Sequence, residues 1–229
     1  MKKMNEKKDV KVAAAWSGGK DSCFACYKAM KEGYELAQLL IMMCSEQESN
    51  FHMISAELLD AQSHSLGIPI LKQVTAPKTY EENFTKALLQ MKAKGIEGLV
   101  TGDVYDVALH EAGWLDRICA KVGLEPVRPL WHRNTAQIMD EFVDAGFKAT
   151  VVRTKNEVLG VEWLGREVNQ QFLDELPANV DPCGENGEFH TFVTDGPNFK
   201  SRIEVLGTET TTLNGYGRLE ITRFRLKPK

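Results

Sequence analysis

Short apolar runs alternate with helix-spaced segments through the first half of the chain. Val12–Trp16 is an apolar run of strand length; after it Cys23, Phe24, Cys26, Tyr27, Ala29 and Met30 fall among polar residues at helical spacing. Within Glu35–Cys44 the nearly unbroken run Leu39-Leu40-Ile41-Met42-Met43 predicts a strand covered on both faces, the pattern of a parallel sheet. Met53–Leu66 has helical spacing, and Gly67 predicts its stop. Ile68–Val74 predicts a third strand, with Pro69 near its start, where a missing N–H is tolerated. Tyr80–Lys94 predicts a helix closed by Gly95, Glu97–Thr101 a fourth strand ending at Gly102-Asp103, and Val107–Val122 a helix closed by Gly123. This rhythm predicts an α/β fold, a doubly wound parallel sheet in which ligands sit at the carboxyl ends of strands near a switch point.

Pro126 and the segment Arg128-Pro129-Leu130-Trp131 mark a change of texture. Beyond them the pattern predicts a short helix over Thr135–Asp144, a strand over Phe147–Thr154 and a polar helix over Arg166–Leu176. From Phe189 the chain is strand-like, with Arg202–Leu206 and Arg218–Phe224 separated by the turn-rich Asn214-Gly215-Tyr216-Gly217. The expected organisation is two domains, 1–131 and 132–229, the second a smaller α+β domain.

The chemistry concentrates between the first strand and the first helix, in Ser17-Gly18-Gly19-Lys20-Asp21-Ser22. A strand, a glycine-bearing turn and a helix N-terminus bring unpaired N–H groups and the helix dipole to one point, which favours a phosphate. The glycines admit close approach, the serines donate hydroxyls and Lys20 adds charge. Asp21 suits such a site when a divalent cation, Mg²⁺, bridges it to the phosphates. The spacing is not that of a Walker A loop, which has four residues between its first glycine and the Gly-Lys pair. Thr101-Gly102-Asp103 falls at the same edge of the expected sheet, so a nucleotide would lie across both, with the backbone at Met42 and Met43 as a candidate adenine contact. Core packing explains those methionines equally well, and Asp103 is also placed to cap the helix after it.

Composition narrows the classes. The chain has 229 residues, 43% hydrophobic and 26% charged, an ordinary globular balance. A net charge of −4 gives no general basic face for nucleic acid. Lys2, Lys3, Lys7, Lys8 and Lys11 read as a solvated tail without the apolar segment of a signal peptide, and no run reaches membrane-span length. Five cysteines suggest reduced thiols and a cytoplasmic home. Cys23 and Cys26 read as buried structural thiols, Cys183 has a sulfur-transfer reading, and His52, His64 and His132 are too scattered for a metal cluster. His110 and Glu111, expected on one helix with Arg117, read as a solvated face. A homodimer is neither required nor excluded.

A second dense stretch, Asp181-Pro182-Cys183-Gly184-Glu185-Asn186-Gly187-Glu188-Phe189-His190-Thr191, leads into a strand. Such a loop can place carboxylates, an imidazole and open N–H groups around a small substrate, or simply face water. Ser17–Ser22 directly after a strand resembles the signature of the PP-loop ATP pyrophosphatases. Together with Thr101-Gly102-Asp103, Gly123-Leu124, Pro129-Leu130-Trp131 and Cys183–Glu188 in this order, it resembles the diphthine–ammonia ligase-like branch over Lys11–Lys200. The resemblance implies a Rossmann-like, adenine nucleotide α-hydrolase type amino-terminal domain. It implies an enzyme that adenylates a carboxylate with ATP, releases pyrophosphate, and forms an amide from ammonia; the acceptor in that family is diphthine on elongation factor 2. Asn186 and His190 depart from the Glu-Gly-Gly-Glu, aromatic, Glu-Thr pattern of diphthine ligases, which places this chain nearer a branch linked to cobalamin-related metabolism.

On that resemblance Ser17, Gly18, Gly19 and Ser22 hold pyrophosphate, Lys20 neutralises the leaving charge, and Asp21 with Asp103 positions Mg²⁺. Gly184, Glu185, Asn186, Gly187, Glu188 and His190 fall on the substrate side, with Glu185, Glu188 and His190 as candidate catalytic groups. Lys20 is expected on an exposed loop, so that its loss would affect turnover more than folding. The competing functions are tRNA thiolation by a related enzyme, which needs reactive cysteines and an RNA-binding surface, and a module that senses ATP without turnover.

Overall fold

The computed structural model describes residues 10–49, 52–106 and 111–229. Lys11–Ala15 forms β1, which pairs in parallel with β2 (Glu35–Met43) on one side and β4 (Gly98–Val100) on the other. β3 (Ile70–Val74) and β5 (Glu125–Val127) complete a five-stranded parallel sheet in the order β3-β2-β1-β4-β5. The order reverses at β1, so the switch point opens between the carboxyl ends of β1 and β4. Helices α1 (Lys20–Lys31) and α2 (Ala56–Leu66) pack on one face with Phe24, Leu58 and Leu59, while α3 (Tyr80–Ala93) and α4 (Trp114–Val122) pack on the other with Phe84, Leu88 and Ile118. The sheet is therefore doubly wound, as its alternating pattern predicts.

In the amino-terminal half four expectations need correction. Glu125–Val127, read as a change of texture at Pro126, is the fifth strand; it lies at the sheet edge, where proline is tolerated. Lys11, read with the amino-terminal tail, opens β1 and pairs with Glu35. The helix expected from Val107 begins at Trp114 behind Gly113; residues 107–110 lie outside the described residues, as do the tail lysines before Lys11. The helix expected from Met53 begins at Ala56, because the Ser55 side chain accepts from Leu58 N and caps it there.

Beyond β5, α5 (Thr135–Asp144) has the expected limits. β6 (Lys148–Lys155), β7 (Phe189–Asp195), β8 (Ser201–Leu213) and β9 (Tyr216–Pro228) form an antiparallel second sheet in the order β7-β6-β9-β8. The polar helix expected over Arg166–Leu176 shortens to α6 (Gln170–Glu175), since Asn169 caps it by accepting from Phe172 N at 2.9 Å. Phe24 of α1 meets Phe142 of α5 and Phe147 edge-on at 5.9 and 6.0 Å, fastening the second sheet's elements to the first. Lys28 and Glu141 pair across the same contact at 2.9 Å.

Candidate active site

The loop between β1 and α1 is held by the second sheet as well as by its own hydroxyls. Gly18 takes a φ of 79°, which turns the chain from strand into helix, and a Cβ there would meet Gln62 Oε1 at 2.7 Å. Gly19 is the N-cap of α1 and brings no capping side chain. Ser17 Oγ accepts from Gly19 N at 3.2 Å and lies 3.0 Å from Ser22 Oγ, which donates to the Gly19 carbonyl at 3.1 Å. From β7, Thr191 Oγ1 accepts from Lys20 N at 3.0 Å, and Val193 N donates to the Gly18 carbonyl at 3.0 Å. Fully buried Gln62 accepts from Trp16 Nε1 at 3.0 Å and donates to the carbonyls of Gly18 and Val193 at 2.9 and 2.8 Å.

Lys20, expected on an exposed loop, is only 3% exposed, because β7 and the 181–188 loop close over the start of α1. Its ammonium donates to Asp21 Oδ2 at 2.9 Å and to the Cys183 carbonyl, and stands 5.0 Å from the Phe189 ring centre. Burial works to lower its pKa, but the Asp21 charge and hydrogen bond outweigh it, so Lys20 is held charged. Gly102 abuts the same turn: a Cβ there would lie 2.5 Å from the Asp21 carbonyl carbon and 2.7 Å from Ser22 N. Only glycine lets the end of β4 approach α1 so closely. Asp103 follows; burial raises its carboxyl's pKa, Thr101 and Arg128 oppose that, and Asp21 adds to it. It does not cap α4, whose N-cap is Gly113.

Met42 is buried by its side chain among the residues packed on α3 and α4. Its backbone lies two residues beyond Leu40, the last β2 residue paired with β1, and the Leu40 carbonyl accepts from Trp16 N at 2.7 Å. Because alternate residues of a strand face the same neighbour, the Met42 N–H and carbonyl point toward β1's side, over its carboxyl end.

The 181–188 loop is folded around two acids. Asp181 Oδ1 accepts from Cys183 N at 2.8 Å and Glu185 N at 3.3 Å, and its Oδ2 accepts from Thr135 Oγ1 at 2.8 Å. Gly184 and Gly187 both take positive φ at its turns. Buried Glu188 faces inward and accepts from Asp181 N at 3.0 Å and from Asn186 N and Nδ2, both at 2.9 Å. Burial pushes its pKa up, but these hydrogen bonds outweigh that and hold it ionised. Asn186 thus braces Glu188.

Glu185 turns the other way, and one of its oxygens groups with Asp21 and the Cys183 sulfur within 4.8 Å. Its pKa is pushed up to about 7, first by burial and then by the Asp21 charge, with Lys20 opposing. Its outer face is open to solvent, which screens part of that effect. Asp21 Oδ1 is buried without a hydrogen-bond partner among the described residues. An orphaned carboxylate oxygen grouped with Glu185, and with the Asp103 charge felt at Asp21, fits a hard divalent cation such as Mg²⁺. The Cys183 thiol is buried and pushed far up by burial, so it is protonated and a poor ligand for that ion. Cys23 and Cys26 are likewise buried thiols raised by burial.

His190 stands on β7 with its ring 4.6 Å, centre to centre, from that of His52. His52, read as one of three scattered histidines, lies directly on the loop: a Cβ on Gly19 would meet His52 Cε1 at 2.7 Å. Burial, then Lys20, lowers the His52 pKa to about 4; burial, then the His52 and Arg153 charges, puts His190 well below its usual range. His52 and Gln62 carry no local motif, and only the end-of-β2 position of the segment holding His52 hints at a role; Thr191 closes the Asp181–Thr191 stretch, but its bond to Lys20 N shows only in the fold. His110 lies outside the described residues, and Glu111 pairs with Arg117 at 2.8 Å.

Fold and loop together define the class: an α/β protein with a glycine-bearing loop, leading into a helix N-terminus, at the switch point of a doubly wound sheet. Residues 10–126 match the diphthamide synthase N-terminal domain, and residues 134–226 match the diphthamide synthase C-terminal domain. The chain belongs to the diphthamide synthase family, a family of enzymes. It is 25% identical over 229 residues to the diphthine–ammonia ligase of Mus musculus, covering 87% of this chain and 84% of that one. It is 24% identical over 232 residues to the diphthine–ammonia ligase of Bos taurus, covering 89% and 85%. Among solved structures it is similar to a predicted subunit of tRNA methyltransferase from Methanocaldococcus jannaschii (TM-score 0.45, 16% identity, 80% of this chain and 96% of that one). It is also similar to a 4-thiouridine synthetase in an RNA complex with bound ATP (TM-score 0.41, 16% identity, 59% and 40%). Among the described residues no helix is long and apolar enough to cross a membrane.

Proposed function

We propose that this chain is an ATP-dependent, AMP-forming ligase that adenylates a carboxylate and amidates it with ammonia. The observation that carries this reading is a buried, charged Lys20 in the first turn of α1, paired with Asp21, which groups with Glu185. Membership of a family whose relatives are named diphthine–ammonia ligase supports this reaction type.

In this reading ATP spans the carboxyl ends of β1, β2 and β4, with the Met42 backbone toward adenine and the Ser17–Ser22 loop around the phosphates. Residues 1–131 carry the nucleotide and residues 132–229 the acceptor. An acceptor carboxylate oxygen bonds to the α-phosphorus, the bond from that phosphorus to the bridging oxygen breaks, and pyrophosphate leaves. Lys20 stabilises the charge that develops on it, an electrostatic contribution of about 3 kcal/mol in a dry site. Asp21 and Asp103 would hold Mg²⁺, which when bound would neutralise phosphate charge. Ammonia then bonds to the acyl carbon, AMP leaves, and the proton lost from nitrogen passes to the Glu185 carboxylate. Glu188 and Asn186 position the loop that carries Glu185.

Thiolation needs a reactive thiolate, and Cys23, Cys26 and Cys183 are held as thiols by burial. The test is product analysis with ATP, Mg²⁺ and ammonium, with and without diphthine-bearing elongation factor 2. AMP and pyrophosphate formed only with the factor identify diphthine as acceptor. ATP binding without factor-dependent AMP moves the acceptor to another carboxylate, with cobalamin-related acids next. No ATP binding, or ADP as product, overturns the reading.

A further inference from the structure

We propose that His52 and His190 form one wall of the triphosphate subsite and grip the β,γ end of the nucleotide through a single shared imidazolium, formed when the phosphates arrive. This rests on the ATP reading above and adds to it a binding element and a proton.

Position is the first argument. His52 packs on Gly19, the N-cap of α1, where first-turn amides and the helix dipole favour an anion. His190 lies one residue before Thr191, whose hydroxyl is bonded to Lys20 N. The second argument is an unmet need: His52 Nδ1 is buried without a hydrogen-bond partner among the described residues, and a buried polar nitrogen left unpaired is costly. The third is the field. Lys20 and Arg153 both bear on the two rings, and Arg153 stacks on Tyr216 with its guanidinium carbon 4.3 Å from the ring centre. Asp21 is engaged with Lys20, and Glu185 groups with Asp21 rather than with the histidines. Burial and these cations keep both rings neutral in the free protein. A triphosphate reverses the sign of the local field and raises the imidazole pKa. Two imidazolium rings at 4.6 Å would repel, so the pair takes up one proton and titrates as a unit. Among the described residues no third ligand groups with the two rings in a metal-holding cluster.

Titration calorimetry with inorganic pyrophosphate and Mg²⁺ at pH 7.5, in buffers of different ionisation enthalpy, counts the protons. Wild type should take up about one more proton per pyrophosphate than the His52→Gln/His190→Gln variant, and its affinity should fall up to about tenfold more per pH unit on the alkaline side. AMP, which lacks the β and γ phosphates, should show no such difference between the two proteins. The extra uptake should survive in Glu185→Gln; its loss there, with the histidine variant unchanged, assigns the proton to the carboxylate and overturns the proposal. Imidazole nitrogen NMR shifts of His52 and His190 in the wild-type protein give the answer without substitution: neutral rings in the pyrophosphate complex overturn it. ATP bound with both histidines neutral strikes this inference alone, whereas failure to bind ATP strikes the ATP reading itself.

Discussion

Glu185 binds a proton more tightly in the folded chain than its type ordinarily does, because burial and the Asp21 charge disfavour its ionised form. The sign of the consequence follows from linkage. With the folded pKa near 7 and the ordinary value at 4.5, the folded state carries an extra proton between them. The stability it lends is complete below 4.5 and lost as pH rises through 7. Glu185→Gln removes that loss, so the variant should be more stable than wild type at pH 8 by about 1 kcal/mol, after allowing for solvent at its outer face. At pH 4 the two should match. Urea unfolding at both pH values checks this; equal stability at pH 8 would show a carboxyl that feels neither burial nor Asp21. The same variant should lose activity while gaining stability. Lys20 offers no such separation, because its buried ammonium serves the fold and the site together.

At the scale of elements, the loop's shape depends on α2 and β7 as much as on β1 and α1. Gln62→Leu keeps about the same volume but strands the Trp16 indole N–H and takes a donor from the Val193 carbonyl and from the Gly18 carbonyl, which keeps only Val193 N. The expected cost is about 3 kcal/mol, with ATP bound at least about tenfold more weakly as the Gly18 turn loosens. Unchanged ATP affinity by calorimetry would mean that the turn holds itself. This dependence also marks what the sequence could and could not disclose. Periodicity placed α1, α3, α5 and the β8–β9 hairpin, because each is a local pattern of burial. It missed β5, whose three residues include Pro126 and which makes sense only at a sheet edge. The Ser17–Ser22 loop and the 181–188 loop were legible because each is contiguous. His52 and Gln62 were not, since their meaning lies in contacts such as Gln62 to Val193, 131 residues apart. Glu188 was legible as an acid, but its inward turn depends on Asn186 and on how the loop closes.

For the whole molecule, the decisive fact is that one apolar core runs through both sheets. A single cluster joins Val12, Phe24, Leu39 and Leu59 of the first sheet's layer to Phe142, Val151, Phe192 and Ile221 of the second. The Phe24–Phe142–Phe147 contacts and the Val193 to Gly18 hydrogen bond cross the same boundary. Neither sheet can lose its packing without exposing the other's, so the two should unfold together in one transition. Scanning calorimetry should give equal calorimetric and van't Hoff enthalpies, and hydrogen exchange under mild denaturant should open Gly98–Val100 and Phe189–Asp195 at the same free energy. Because the nucleotide loop is bonded to β7, ATP with Mg²⁺ at a hundred times its Kd should protect both segments alike, by about 2.7 kcal/mol. Protection confined to the first sheet, or two resolved transitions, would mean that the shared core is a contact between independent folding units. The loop would then be set by β1 and α1 alone, and second-sheet substitutions far from it should leave ATP affinity untouched.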